Sequence, residues 1–215
     1  MQTATETVIP TGREQLAADI VVPANASGIV LFAHGSGSSR LSPRNRAVAA
    51  TLNQHDLATV LVDLLTPAEE EVDARTAHLR FDIGFLSNRL VDIIDWIAAG
   101  RQTPELPIGL FGASTGAAAA LVAAANRPDT VRAVVSRGGR PDLAGAALAE
   151  VRAPTLLLVG GRDEPVIALN EEARERMSAP VELRIIPGAT HLFEEPGALE
   201  QVADAAAGWF RAHLR

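Results

Sequence analysis

The sequence predicts an α/β protein in which a mostly parallel β-sheet carries helices on both faces. Short runs rich in Val, Ile and Leu recur along the 215 residues. Several are apolar at successive positions, as strands covered on both faces should be. From the third run onward these runs alternate with helical patterns, which favours parallel strands joined by right-handed crossovers. The runs are residues 16–23, 28–34, 58–64, 107–113, 131–137, 154–161 and 181–187, with a possible edge strand at 3–10.

Helices are predicted in the segments between these runs. Ser42 followed by Pro43 is typical of a helix N-cap and first helical position. Residues 82–99 place their Leu and Ile side chains on one stripe, as an amphipathic helix does. The predicted helices are 43–54, 82–99, 115–126, 166–178 and 197–213. The stretch 65–81 has no clear period, and because it follows a strand we expect it over the sheet end where ligands bind in such folds.

Composition limits the classes of protein that fit. The chain is 47% hydrophobic and 21% charged, which suits one packed domain spanning residues 1–215. A net charge of −7 argues against nucleic acid as a partner, since phosphate binding needs a basic surface. The absence of cysteine excludes disulfides, a thiol nucleophile and thiolate metal sites. The segment MQTATETVIP lacks the features of a signal peptide and no run is long enough to span a membrane, so we expect a cytoplasmic protein without a membrane partner.

The segment GLFGASTG, residues 109–116, carries a lone serine between a strand and a helix. This Gly-x-Ser-x-Gly pattern is typical of a nucleophile elbow, a sharp turn that raises the serine hydroxyl above the sheet. Gly112 and Gly116 satisfy the need for small neighbours, and the helix N-terminus would favour developing negative charge at Ser114. The alternative is an ordinary turn with an N-capping serine, since such pentapeptides also occur by chance.

A serine nucleophile needs a base and a carboxylate, and both are available later in the chain. A histidine takes the serine proton, and an acid orients that histidine. In this architecture the order is Ser, Asp, His, and each partner follows a strand. Asp163 follows the predicted strand 154–161, and His191 follows the predicted strand 181–187. The other histidine after Ser114, His213, lies on the last helix. Asp142 is the alternative acid, one strand earlier, and Asp163 could instead be a simple helix-start residue.

Acyl transfer also needs two N–H groups for the oxyanion that forms on the carbonyl oxygen. One donor would be the amide of Thr115, directly after the nucleophile. The other should come from the glycine-rich loop after an earlier strand, within residues 30–40, where glycine lets the backbone approach a ligand. We expect Ser36 to be this donor, with Gly35 as the alternative.

Together these motifs resemble the α/β-hydrolases, and more narrowly the dienelactone hydrolase-related group. The resemblance covers essentially the full length and rests on His34-Gly35, GASTG, GGRDEPV and GATHLFEEPGALEQV. It implies an eight-stranded sheet with only the second strand antiparallel, no large cap domain, no metal and no organic cofactor. The segment HGSGSSRLSPRNRAVA also resembles hydrolase modules found beside, or fused to, phosphoribosyltransferase domains, and we expect no such domain within these residues.

The enzyme that names the group uses a cysteine nucleophile, and Ser114 stands in that position here. We therefore expect a serine hydrolase that acts on carboxylic esters of small or flexible acyl groups through a covalent acyl-enzyme. An acyltransferase, a thioesterase or a peptidase with the same triad is an alternative, and so is a non-catalytic binding module on the same fold. The expected partner is a small-molecule ester, and the oligomeric state stays open.

Two groups of arginines could contact a ligand. Arg40, Arg44 and Arg46 lie beside the glycine loop and could bind a carboxylate or phosphate, since guanidinium groups hold such anions by paired hydrogen bonds. A solvated helix face is the interpretation that charge runs usually favour. Arg137 and Arg140 follow a strand and could line the rim of the pocket.

Overall fold

The computed structural model describes residues 4–100, 103 and 105–215. Its sheet has eight strands in the order β1-β2-β4-β3-β5-β6-β7-β8. The strands are β1 (Thr5–Thr11), β2 (Glu14–Val21), β3 (Gly28–Ala33), β4 (Leu57–Val62), β5 (Ile108–Ala113), β6 (Val131–Arg137), β7 (Thr155–Gly160) and β8 (Val181–Ile186). β2 runs antiparallel to both of its neighbours, and every other neighbouring pair is parallel.

The predicted eight-stranded, mostly parallel sheet is thus confirmed. The predicted edge strand at 3–10 appears as β1, although its residue 3 lies outside the described part of the chain. Every residue of β3, β4, β5 and β7 is buried, which explains why their sequences are apolar at successive positions.

The helices cover both faces of this sheet. They are α1 (Pro43–Gln54), α2 (Pro67–Thr76), α3 (Ile83–Ala98), α4 (Thr115–Asn126), α5 (Glu164–Arg176) and α6 (Ala198–His213), with 3₁₀ segments at Leu79–Phe81 and Pro141–Glu150. α1 and α6 pack on one face of the sheet, and α3 and α4 pack on the other. Ser42 caps α1 as predicted, because its hydroxyl accepts a hydrogen bond from the amide of Asn45. Among the described residues, no helix is both long enough and apolar enough to cross a bilayer.

The stretch 65–81, which lacks a period, is largely helical in the structure. Its helix α2 begins with a capping box, in which the amide of Glu69 donates to the hydroxyl of Thr66 and the amide of Thr66 donates to the Glu69 carboxylate. Arg89 of α3 forms two hydrogen bonds of 2.6 Å with the same carboxylate, and a third of 2.7 Å with the Leu64 carbonyl. α2 is therefore tied to α3 at the end of the sheet where the predicted site residues lie.

Candidate active site

Ser114 occupies the turn between β5 and α4 with a strained backbone. Its φ of 51° and ψ of −122° lie where residues other than glycine rarely occur. Two backbone hydrogen bonds hold the turn against the end of β6: the Ser114 amide donates to the Arg137 carbonyl, and the Arg140 amide donates to the Ser114 carbonyl. The side chain makes no capping hydrogen bond to α4, although Ser114 stands at the N-cap position. The hydroxyl is thus not used as a cap.

The glycines of the pentapeptide are required by close packing. A Cβ on Gly112 would overlap Ala117 in the first turn of α4. A Cβ on Gly116 would overlap the carbonyl oxygens of Ala33 and His34 at the end of β3. These contacts explain why only glycine fits at positions 112 and 116, two residues before and two residues after Ser114.

Asp163 and His191 lie in the loops after β7 and β8 and form a short hydrogen bond. The distance between His191 Nδ1 and Asp163 Oδ2 is 2.6 Å, and the Asp163 side chain is only 14% exposed. Gly160 allows the close approach of these loops, because a Cβ there would lie 2.5 Å from the Ala189 carbonyl oxygen. With Nδ1 directed at a carboxylate, the proton belongs on Nδ1 and Nε2 is the nitrogen that can accept one.

The serine turn and the histidine loop meet at the end of β6. A Cβ on Gly138 would lie 3.1 Å from the His191 carbonyl oxygen and 3.6 Å from its ring carbon Cε1. The preceding residue, Arg137, accepts the Ser114 amide hydrogen bond. Ser114 and the His191–Asp163 pair therefore lie at the same carboxyl end of the parallel strands.

The alternative acid, Asp142, is engaged elsewhere. Its two carboxylate oxygens accept hydrogen bonds of 2.9 and 2.7 Å from the guanidinium of Arg140. Asp163, not Asp142, is the carboxylate bonded to His191.

The two predicted oxyanion donors also lie side by side. Thr115 is the first residue of α4, where backbone N–H groups have no partner within the helix. The amide of Ser36 lies beside Thr115 and donates a 3.0 Å hydrogen bond to the Thr115 hydroxyl. The Ser36 amide is therefore already occupied, and it could reach an oxyanion only by leaving or sharing that bond. The sequence carries no signal for this contact.

His34, the first residue of the His34-Gly35 motif, holds the glycine loop in place. Its Nδ1 donates to the Gly35 carbonyl and its Nε2 accepts the Leu64 amide hydrogen, each at 3.0 Å. Burial lowers the pKa of His34, because a charged imidazole loses its hydration there. The neutral ring thus links the end of β3 to the chain that follows β4.

A cavity of about 630 Å³ adjoins the elbow. Its walls come from the glycine loop and the start of α1, from the chain around α2, and from Thr115. The residues of α2 that face it are the acids Glu70 and Asp73. Burial raises the pKa of Glu70, while Asp73 is paired with Arg80. Within the part of the chain that the structure describes, no group of three or more His, Asp or Glu side chains is arranged to hold a metal ion.

The arginines beside the glycine loop have different surroundings. Arg40 pairs with Asp63 and Asp19, and Arg46 pairs with Asp19 at 2.9 Å. Both guanidinium groups are therefore paired to acids, although only Arg46 lies on α1 and Arg40 precedes that helix. Arg44 differs, because the one ion pair that it forms with a described residue, Glu194, spans 3.4 Å and is exposed.

The strand order, the elbow after β5 and the helices on both faces define an α/β-hydrolase. Within that class the chain belongs to the dienelactone hydrolase family, whose model matches residues 23–214. The chain is 59% identical to a dienelactone hydrolase from Anabaena variabilis of known structure, covering all of this chain and 99% of that one with a TM-score of 0.98. Est1E from Butyrivibrio proteoclasticus shares the fold with a TM-score of 0.79 at 17% identity, over 96% of this chain and 98% of that one.

Two relatives from Mycobacterium tuberculosis, of strains CDC 1551 and H37Rv, are named "Putative phosphoribosyl transferase". Each is 55% identical over 209 residues, which is 97% of this chain and 46% of the relative. The chain thus spans about half the length of these curated relatives.

Proposed function

We propose that the protein is a serine hydrolase that cleaves carboxylic esters of small or flexible acyl groups through a covalent acyl-enzyme. One observation carries the proposal: Ser114 has a strained backbone and no capping role, and it lies at the same end of the sheet as a hydrogen-bonded His191–Asp163 pair. Strain held at a positive φ by a non-glycine residue is typical of functional sites. Membership of the dienelactone hydrolase family supports a hydrolase.

The proposed reaction begins with attack of the Ser114 hydroxyl oxygen on the ester carbonyl carbon. The serine proton passes to His191 Nε2, and Asp163 stabilises the imidazolium through Nδ1. The amide of Thr115 donates one hydrogen bond to the oxyanion. The amide of Ser36 donates the second after it leaves the Thr115 hydroxyl. The alcohol then leaves with the proton from His191, and water repeats the sequence to release the acid.

We do not propose a phosphoribosyl transferase activity for this chain, although the mycobacterial relatives carry that name. Those proteins are about twice as long and the residues gathered here are the parts that acyl transfer requires. The same residues could pass the acyl group to an alcohol or amine, and comparing products with and without an added alcohol would separate hydrolysis from transfer.

The test is turnover of a short-chain para-nitrophenyl ester together with labelling by a fluorophosphonate. Ser114→Ala should lower kcat by roughly 10⁴- to 10⁶-fold, as loss of a nucleophile does in other triads. It should also abolish the phosphonyl adduct, which mass spectrometry should locate on Ser114 in the wild type. Ser178→Ala, an exposed serine outside the site, is the matched control and should change neither.

A Ser114→Ala variant with wild-type turnover would show that another group is the nucleophile. A folded wild type that neither hydrolyses esters nor takes the label would favour the non-catalytic binding module instead.

A further inference from the structure

Strand β8 forms one edge of the sheet, and half of its backbone groups face away from that sheet. Among the described residues its one neighbouring strand is β7, to which it runs parallel. The carbonyls of Pro180 and Ile186 accept hydrogen bonds from amides at the start of β7 and just after its end. Because backbone groups of successive residues point to opposite sides of a strand, the even-numbered residues of β8 bond to β7. The outward N–H and C=O groups belong to Val181, Leu183 and Ile185.

The two edge strands of the sheet differ in how they limit further pairing. A free edge attracts another strand unless proline, charge or a covering element blocks it. The other edge strand, β1, contains Pro10, which lacks an N–H group. β8 contains no proline, and its two charged residues, Glu182 and Arg184, have opposite signs. The edge formed by β8 is therefore the more open of the two.

The charged residues of β8 form an exposed ion pair within the strand. Arg184 Nη2 lies 2.6 Å from Glu182 Oε1, and the two side chains are 46% and 45% exposed. An exposed pair of this kind contributes little to stability, because water and salt screen it. Both side chains can therefore exchange this partner for an equivalent one at low cost.

The sequence of β8 is complementary to itself when two copies pair antiparallel about Leu183. Leu183 then lies opposite Leu183 of the second copy, and Val181 lies opposite Ile185 of the second copy. Each outward-facing residue meets another, so their N–H and C=O groups can exchange hydrogen bonds. Between them, Glu182 lies opposite Arg184 of the second copy, and opposite charges across an antiparallel pair stabilise it.

The neighbouring registers do not have this complementarity. A shift by one residue would place an outward-facing residue opposite one that is bonded to β7, which prevents hydrogen bonding. A shift by two would place Glu182 opposite its own copy, or Arg184 opposite its own copy, and like charges directly across a pair are destabilising. The charge pattern therefore selects one register, whose two-fold symmetry closes the assembly at two chains.

We propose that β8 pairs with β8 of a second copy of this chain, antiparallel and centred on Leu183, so that two sheets join into one. Ile185, which is 38% exposed, would then lie at the new interface. A pair of short strands buries less surface than a permanent dimer requires, so the dimer should be reversible, with a Kd on the order of micromolar. The inference is independent of the proposed ester hydrolysis, and its tests need no turnover.

The first test is sedimentation velocity over a concentration series of about 1–300 μM, which spans the expected Kd. The wild type should approach twice the 22.6 kDa of one chain as its concentration rises. Glu182→Arg and Arg184→Glu each place like charges across the pair and should raise Kd by at least about tenfold. The variant that carries both changes restores opposite charges and should dimerise like the wild type.

The matched control is Arg13→Glu, which reverses an exposed charge at the opposite edge of the sheet, in the turn between β1 and β2. It should leave the Kd unchanged. Restoration of the dimer in the double variant distinguishes pairing of β8 from a general effect of surface charge.

The second test determines the register by disulfide cross-linking, which is simple because the chain contains no cysteine. Directly opposed residues of a hydrogen-bonded antiparallel pair have Cα atoms about 5.5 Å apart, within the range of a disulfide. Leu183→Cys should therefore give a covalent dimer on mild oxidation. Glu182→Cys and Arg184→Cys should not, since each would lie about 8 Å from its own copy, beyond that range.

Each outcome decides for or against the pairing. A protein that stays monomeric throughout the concentration series, or a dimer that both single charge reversals leave intact, would overturn the proposal. Cross-linking through residue 182 or 184 in place of 183 would contradict the register. If a charge reversal fails to fold, cross-linking of Leu183→Cys, with the other two cysteine variants as controls, tests the pairing by itself.

Discussion

At the scale of single residues, two of the four non-glycine residues with positive φ in the described part of the chain lie in loops of the site. Ser114 has a φ of 51°, and Phe193, two residues after His191, has a φ of 56°. Each such residue costs on the order of 1–3 kcal/mol, which the surrounding packing must offset. The Phe193 side chain is buried in the core beside α6, and the Ser114 turn is held by its hydrogen bonds to residues 137 and 140. These two residues lie in the loops that present Ser114 and His191, while the other two, Asp56 and Ala77, follow α1 and α2.

The contact between Ser36 and Thr115 leads to a prediction about the oxyanion hole. When a boronic acid bonds to Ser114, its oxygen should draw the N–H groups of Thr115 and Ser36 toward it, so the Ser36 amide leaves the Thr115 hydroxyl. Amide resonances of these two residues in isotope-labelled protein should then shift more than those elsewhere in the glycine loop. A dominant shift at Gly35 would assign the second donor to that residue instead.

At the scale of elements, the geometry of the elbow depends on how closely α4 approaches β3. Residues 117–120 of α4 are all alanine and all fully buried. Small side chains let the helix axis lie near the sheet, and Gly116 marks the point of contact with the carbonyls of Ala33 and His34. The position of Ser114, the proposed nucleophile, is therefore set by packing between two elements that are about 80 residues apart in the chain.

Gly116→Ala should therefore destabilise the protein strongly. The added methyl group would meet backbone oxygens that cannot move independently of the sheet, so we expect a loss of roughly 1–3 kcal/mol in the free energy of unfolding. Gly208→Ala on α6 is the control, because an added Cβ there meets nothing within 4 Å, and it should be neutral or stabilising by up to about 1 kcal/mol. Urea unfolding measures both, and equal stability of the two variants would contradict the packing argument.

At the scale of the whole molecule, polar contacts connect the loops around the cavity into one framework. His34 ties the end of β3 to Leu64, Arg89 ties Leu64 and Glu69 to α3, and Arg40 ties the glycine loop to Asp63. These contacts join strands β3 and β4 to helices α2 and α3 at the end of the sheet that carries Ser114. Disturbing one of them should therefore affect global stability.

The neutral state of His34 predicts how that stability depends on pH. Because burial lowers the pKa of His34 below the 6.5 of an exposed histidine, the unfolded chain binds the proton more readily. The contribution of His34 is fully present above pH 6.5 and decreases as the pH falls through that value toward the folded-state pKa. Protonation would place a second donor opposite the Leu64 amide.

Urea unfolding between pH 7.5 and 5 should show this loss in the wild type and a smaller loss in His34→Gln, since glutamine can accept the Leu64 hydrogen bond but does not titrate. His78→Gln, at an exposed histidine, serves as the control and should keep the wild-type slope. A His34→Gln variant with the same slope as the wild type would mean that other groups set the acid sensitivity.

Much of this architecture could be predicted from local sequence pattern. The strands were found because full burial makes them continuously apolar, and α1 because Ser42-Pro43 is a local start signal. α2 was missed although Thr66, Pro67 and Glu69 carry the pattern of a capping box, since its residues outside the cap show no apolar stripe. α5 begins at Glu164, two residues before the predicted start, because Pro165 belongs to its first turn.

For the site, the sequence by itself determined the candidates and their order, because a nucleophile elbow and the strand ends that follow it are defined within a few residues of chain. Tertiary structure alone decided which acid bonds to His191, that the Ser36 amide bonds to the Thr115 hydroxyl, and that Arg40 is paired with carboxylates while a buried nitrogen of Arg44 has no hydrogen-bond partner among the described residues. Pairing and burial depend on residues far apart in the chain. Asp163 and Asp142, or Arg40 and Arg44, look alike until folding places their neighbours around them.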